Sequence, residues 1–173
     1  QRVPFIVNWP NHVPAGKTYH GLTSTMDIFP TSFKVAGGTQ TPRPLDGVDL
    51  MPFLTNEVTT APHQNLFWKK LEGAAVRSGD WKMIQTEGLP TMLYNLKTDL
   101  SEYKNLAAQR PDKVKELQSL YQAWDKQTVP AQWGEAGRYV EIRRDEYIRF
   151  RDSDRPLKLN APRKKKNKQT KTK

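Results

Sequence analysis

The sequence predicts the end of an α/β domain followed by a small α+β subdomain, which contains a four-stranded antiparallel sheet and a C-terminal helix. Three observations lead to this fold class. An apolar run typical of a buried strand lies near the N-terminus, four short β-prone runs separated by turn residues follow, and one amphipathic helix comes after them. The length of 173 residues fits one domain, or one domain and a piece of another.

The apolar run covers residues 3–9 and lacks alternation of polar and apolar side chains. Such a run is typical of a strand covered on both faces, as in a parallel sheet flanked by helices. That strand needs neighbours, and the segments after it offer no parallel partner. We therefore expect residues 1–60 to be the C-terminal end of a larger α/β domain whose earlier part lies upstream.

Residues 61–133 form the predicted small subdomain. Gly79 and Asp80 stand between two β-prone runs, and glycine accepts the positive φ that a tight hairpin requires. A second turn surrounds Gly88. The four predicted strands are residues 66–69, 75–77, 81–84 and 92–96.

The strongest helix pattern begins at Pro111, a residue that is well tolerated at the first helical position. Its apolar residues recur at three- and four-residue spacing, so one stripe should pack on the sheet. The stripe consists of Val114, Leu117, Leu120, Tyr121 and Trp124. We expect Trp81 and Trp124 to pack on each other or on the sheet.

Two shorter helices are predicted before the sheet. Ser24 and Asp27 have the spacing of a capping box, and Pro30 must either kink the helix that follows or belong to its first turn. Asp49 is the expected N-cap of the second short helix. Between the sheet and the long helix, we expect Asp99, together with Glu102 and Asn105, to fix the turn.

The C-terminal part has a different composition. Residues 134–155 are predicted to be a peripheral extension, either a hairpin or a charged helix, and residues 156–173 a disordered basic tail. Residues 163–173 carry seven of the positive charges, so the rest of the chain contributes only +3 to the net charge of +10. The tail is either a solvated terminus or a weak attachment to an anionic polymer, and its lack of aromatic residues argues against specific nucleic-acid binding.

Other compositional features limit the possible chemistry. The chain contains no cysteine, which excludes disulfides and thiolate metal sites. No apolar run is long enough to span a bilayer, no signal peptide is recognisable, and the first residue is Gln rather than Met.

The order of the motifs resembles the C-terminal part of the type I sulfatases, the arylsulfatases and glycosaminoglycan sulfatases of the alkaline-phosphatase-like superfamily. The matching motifs are Arg-Val-Pro-Phe at residues 2–5, Ser-x-x-Asp-x-x-Pro-Thr at 24–31, Ala-Val-Arg-x-Gly-Asp-Trp-Lys at 75–82 and Asp-x-x-Glu-x-x-Asn-Leu at 99–106. The family usually has Pro after the Asp of the last motif, where this chain has Leu100.

The resemblance implies sulfate-ester hydrolysis that uses a formylglycine, formed within Cys/Ser-x-Pro-Ser-Arg, and calcium held by Asp and Asn. This sequence contains neither that motif nor an Asp-Asp or Asp-Asn pair, so no catalytic or metal-binding residue is assigned to it. We expect the chain alone to be inactive and to require an N-terminal catalytic half as its partner. The resemblance also implies a periplasmic or secreted enzyme.

The resemblance further implies that the small subdomain lies beside the substrate cleft. His63, Trp68 and Lys69 are the candidate residues at its rim, because a sulfated small molecule or glycan favours cations for the anion and an aromatic ring for the sugar face. The alternative interpretation places Trp68 in the core and the other two in solvent. At the level of function, the alternative is a non-catalytic module that binds anionic polymers through its basic tail.

Overall fold

The computed structural model describes residues 3–70 and 73–130, together with residues 141, 142, 145 and 148. The chain divides into two compact units, residues 1–134 and 135–173. The described residues of the second unit are helical, which favours a helix over a hairpin for this part of the predicted extension. The predicted basic tail at residues 156–173 lies outside the described residues.

The first unit contains three α-helices and one antiparallel sheet among its described residues. A 3-10 turn at Thr25–Asp27 leads directly into α1, and the four strands pair in the order β1-β2-β3-β4. The elements are α1 (Ile28–Val35), α2 (Met51–Leu54), β1 (Asn65–Lys70), β2 (Gly73–Ser78), β3 (Trp81–Thr86), β4 (Met92–Asn95) and α3 (Pro111–Asp125). The predicted four-stranded sheet and the predicted long helix are therefore confirmed.

The turn between β2 and β3 has the predicted form. Ser78 and Trp81 are cross-strand partners, so the loop between them contains only Gly79 and Asp80. Gly79 has φ of 53°, a conformation that residues with a Cβ atom rarely adopt. This two-residue loop fixes the register, and it thereby decides which side chains of β3 face the core.

The core lies between one face of the sheet and α3. Val76, Met83 and Leu93 are aligned across β2, β3 and β4, and Leu117 of α3 packs against them; all four are fully buried. The ring of Trp124 stacks on Phe67 of β1 at 5.1 Å. The apolar stripe of α3 thus meets the sheet as the sequence predicts.

Trp81 has a different environment from Trp124. The Arg110 guanidinium lies 5.3 Å from its ring centroid and the Lys113 ammonium 6.0 Å from it. Both cations lie at the beginning of α3, so Trp81 joins the sheet to this end of the helix through cation–π contacts. Asp112 pairs with Arg110, and this hydrogen bond holds the pKa of Asp112 below its ordinary value.

The segment after β4 protects the edge of the sheet. The side-chain oxygen of Asn105 accepts hydrogen bonds from the backbone N–H groups of Leu93 and Ala107, at 3.0 Å each. The N–H of Leu106 donates to the carbonyl of Leu93 at 2.8 Å. Asp99 accepts from the N–H of Lys104 at 2.8 Å. Asp99 and Asn105 therefore organise the turn, as predicted.

The strand predicted at residues 3–9 does not form in the described part of the chain. These residues carry no strand pairing, and the side chains of Val3, Phe5 and Ile6 are exposed, Ile6 at 86%. A strand requires a hydrogen-bonding neighbour, and here residues 3–9 have none. The expected N-cap of α2 is also displaced, since Leu50 occupies that position while the Asp49 carboxylate accepts from the N–H of Met51.

Replacing Asn105 with Ala should lower the free energy of unfolding by about 1–3 kcal/mol, because the N–H of buried Leu93 loses its acceptor. Urea denaturation followed by circular dichroism measures the change. Asn105→Asp keeps an acceptor oxygen and should recover most of the loss, whereas Gln109→Ala at a neighbouring exposed site should have little effect. Equal stability of Asn105→Ala and Gln109→Ala would contradict this role for Asn105.

Candidate substrate-cleft residues

A buried carboxylate connects the segments that precede the sheet. Asp27 is fully buried, and its Oδ2 accepts from the N–H of Ser24 at 2.7 Å, completing the predicted capping box. Its Oδ1 accepts from the N–H of Val48 at 3.0 Å. The next turn adds a further link, because the Thr31 hydroxyl donates to the Asp27 carbonyl and accepts from the N–H of Leu50. One carboxylate and one hydroxyl thus hold α1 against the loop before α2.

His63 adds the third hydrogen bond to this carboxylate. Its Nε2 lies 2.7 Å from Oδ1 of Asp27, and because a carboxylate accepts, Nε2 is the donor. The His63 side chain is only 10% exposed. His63 precedes β1 by two residues, so the bond fixes the entry of the chain into the sheet. The structure therefore shows that this candidate residue links the start of α1 to the start of the sheet through a hydrogen bond.

Trp68 and Lys69 lie on opposite faces of the sheet, because successive side chains of a strand point in opposite directions. Trp68 shares a row with Ala75 and Ile84 on the face away from α3, where it is half-buried. Lys69 lies on the face that packs against α3. The structure does not bring the three candidate residues to one surface, and their role at a substrate cleft stays a prediction.

The ammonium group of Lys69 is bound to α3 and the turn that follows it. Its Nζ lies 2.5 Å from Oδ1 of Asp125 and 3.0 Å from the Thr128 hydroxyl. The hydrogen bond from Lys69 holds the pKa of Asp125 below its ordinary value. In the described structure, an anionic ligand would have to compete with Asp125 for the charge of Lys69.

Sequence reasoning found the cap formed by Ser24 and Asp27 but missed the link to His63. The two residues of this hydrogen bond are 36 positions apart, and neither lies in a sequence motif that identifies the other. One feature does point to it. A carboxylate with apolar neighbours, Met26 and Ile28, has more acceptor positions than a capping box fills, so a further donor was to be expected.

The described residues contain no group of three or more His, Cys, Asp or Glu side chains that could hold a metal ion. The calcium implied by the resemblance thus has no fitting set of ligands in the described part of this chain, and the sequence contains no Cys/Ser-x-Pro-Ser-Arg motif for a formylglycine. No helix among the described residues is long and apolar enough to cross a membrane.

Comparison with protein families shows to which family this chain belongs. The family described as N-sulphoglucosamine sulphohydrolase, C-terminal, matches residues 1–131. The chain belongs to this sulfatase family. The match covers α1 to α3 and ends within a few residues of the end of α3, so the whole described sheet lies inside it.

Individual relatives are sulfatases with different names. The chain is 43% identical over 67 residues to the steryl-sulfatase of Rattus norvegicus and 44% identical over 63 residues to the N-acetylgalactosamine-6-sulfatase of Sus scrofa. These alignments cover 38% and 35% of this chain, respectively, and 12% of each relative. The chain therefore matches about an eighth of the length of these curated sulfatases.

Solved structures cover more of the chain. The crystal structure of Ps i-CgsB matches 82% of this sulfatase chain, with a TM-score of 0.63 and 26% identity, and 33% of its own length is covered. The structure of BT4656 in complex with its substrate D-glucosamine-2-N,6-O-disulfate matches 70%, with a TM-score of 0.60 and 26% identity, and 28% of its length is covered. The predicted fold class is confirmed by these similarities.

Replacing His63 with Ala should lower the free energy of unfolding by about 2 kcal/mol, because buried Asp27 loses a hydrogen-bond donor. Urea denaturation measures the loss. His20→Ala is the matched control, since His20 is exposed and its removal should change stability by less than about 0.5 kcal/mol. A His63→Ala protein as stable as His20→Ala would show that the bond to Asp27 contributes nothing.

Replacing Lys69 with Met should raise the pKa of Asp125 toward its ordinary value, because it removes the hydrogen bond that lowers this pKa most. A carboxylate with a lowered pKa in the folded state stabilises the protein above its unfolded pKa of about 3.9, and this stabilisation disappears as the pH falls through the folded pKa. The wild-type and Lys69→Met proteins should therefore differ in stability at pH 7 and converge as the pH falls through the folded pKa of Asp125.

Carbon-13 NMR titration of the aspartate carboxyl groups measures this pKa directly. Lys115→Met is the matched control, because Lys115 is an exposed lysine elsewhere on α3. An Asp125 pKa that is the same in the Lys69→Met and Lys115→Met proteins would contradict the ion pair.

Proposed function

We propose that this chain is the C-terminal part of a sulfatase that hydrolyses sulfate esters of glycans and that it acts only when joined to a catalytic half. The observation that carries the proposal is the family match over residues 1–131. The family description names a sulphohydrolase of N-sulphoglucosamine, which is a sulfated sugar. The solved structures that match most of the chain support the choice of a glycan. Ps i-CgsB is known in complex with k-i-k-neocarrahexaose, and BT4656 with a sulfated glucosamine.

The exposed apolar surface of the first unit supports the requirement for a catalytic half. Phe5 and Ile6 are more than half exposed, and on α1 the side chain of Phe29 is 57% exposed. Residues 3–9 also have the composition of a buried strand, although no described strand pairs with them. Exposed apolar side chains beside such a segment are typical of a surface that another part of the protein covers. We infer that the catalytic half covers it.

The remaining parts of the mechanism belong to that catalytic half. A formylglycine and calcium, which the sulfatase family implies, would be supplied from outside the described residues, because these offer no ligand set for the metal. Within this proposal the small subdomain supports one side of the substrate cleft. A periplasmic or secreted location is also part of this proposal, and its support is the resemblance to the sulfatase family.

The proposal predicts that the 173-residue chain by itself releases no sulfate and that the same chain, expressed with the coding region that precedes it, does. Both proteins are incubated with 4-nitrophenyl sulfate and with N-acetylglucosamine 6-sulfate, and free sulfate is measured. We expect the upstream region to contain Cys/Ser-x-Pro-Ser-Arg, and replacing its Cys or Ser with Ala gives the inactive control.

Two results would contradict the proposal. One is sulfate release by the chain alone at the rate of the joined protein. The other is an upstream region that lacks the nucleophile motif, which would remove the catalytic half altogether.

A further inference from the structure

The face of the sheet that packs against α3 continues beyond the core. Lys69, Ala74 and Gln85 are direct cross-strand partners on β1, β2 and β3, and they lie two residues further along their strands than the core row. A small side chain between two long ones makes a trough across the sheet. Gly73, next to Ala74 on β2, also borders this trough.

This trough is part of an open groove of about 380 Å³. Tyr121 of α3 forms one wall, and the β3–β4 turn forms the other. Ligand pockets in proteins usually measure about 300–1,000 Å³, so the groove has room for one or two sugar units. Its lining consists of Lys69, Lys70, Gly73, Ala74, Gln85, Thr86, Glu87, Leu89, Thr91 and Tyr121.

The charges in this groove are nearly balanced. The ammonium of Lys69 is neutralised by Asp125, with Thr128 as a second acceptor. The two other charged side chains of the lining, Lys70 and Glu87, have opposite signs. The groove therefore has no excess of positive charge for a sulfate or phosphate group, and its polar side chains suit an uncharged ligand.

We propose that the groove binds a neutral sugar unit of a glycan. The apolar face of a pyranose ring packs on an aromatic ring such as that of Tyr121. Its hydroxyl groups both donate and accept, as do the side chains of Gln85 and Thr91 in the lining of the groove. The site goes beyond sulfate-ester hydrolysis, since it holds a part of the glycan that carries no sulfate.

The test is saturation-transfer NMR on the full 173-residue chain with three neutral disaccharides, cellobiose, lactose and N,N′-diacetylchitobiose. We expect transfer to at least one of them. Because the disaccharide forms no ion pair with the protein, the affinity of the protein for it should change less than about two-fold between 0.05 and 0.5 M salt. Glucose 6-sulfate, added as a competitor at low salt, should bind no more tightly than glucose.

Variants locate the site. Ala74→Phe fills the trough and should weaken binding about ten-fold, a change of 1.4 kcal/mol. Ala108→Phe is the matched control at an exposed position outside the groove. Gln85→Ala, which removes one hydrogen-bonding group without adding bulk, should weaken binding about three-fold and covers the case in which Ala74→Phe does not fold.

Three results would overturn the proposal. The first is the absence of transfer to all three disaccharides. The second is binding that both groove variants leave unchanged. The third is binding of the sulfated sugar alone with a steep loss at high salt, which would point to the basic residues at 163–173 instead.

Discussion

The buried carboxylate of Asp27 is the interaction on which the part before the sheet depends. It accepts from Ser24, Val48 and His63, so three separate segments meet at one side chain. These segments contain little regular structure to hold them together, because α1 has eight residues and α2 only four. A buried carboxylate is costly unless its oxygens are hydrogen-bonded, so the arrangement is stable only when the three donors meet at Asp27.

The small subdomain is stabilised in a different way. Its sheet and α3 share a continuous apolar core, in which every strand contributes at least one residue from the same face and α3 contributes residues three or four apart. The local sequence pattern and the packing agree here. For this reason the four strands, the loop at Gly79 and the stripe of α3 could all be predicted from the sequence, with Pro111 as the first residue of the helix.

Long-range polar contacts could not be predicted in this way. The His63–Asp27 bond and the Lys69–Asp125 pair join residues that are far apart in sequence, and hydrophobic periodicity carries no information about them. Residues 3–9 show the converse limit. Their composition indicates a buried strand, but strand formation also depends on a neighbour that the composition does not identify. The chemistry of a sulfated sugar favours Trp68 and Lys69 together as candidates, whereas the pleat of the strand places their side chains on opposite faces.

The Asn105 side chain and the Leu106 backbone together imitate a fifth strand against β4. Part of the outer edge of this sheet is therefore already occupied by its own chain, and a peptide from a neighbouring molecule would have to displace both bonds to extend it. Newly synthesised copies of the protein are protected at this edge as soon as the turn at residues 99–107 has formed. The same turn that ends the sheet thus also limits self-association during folding.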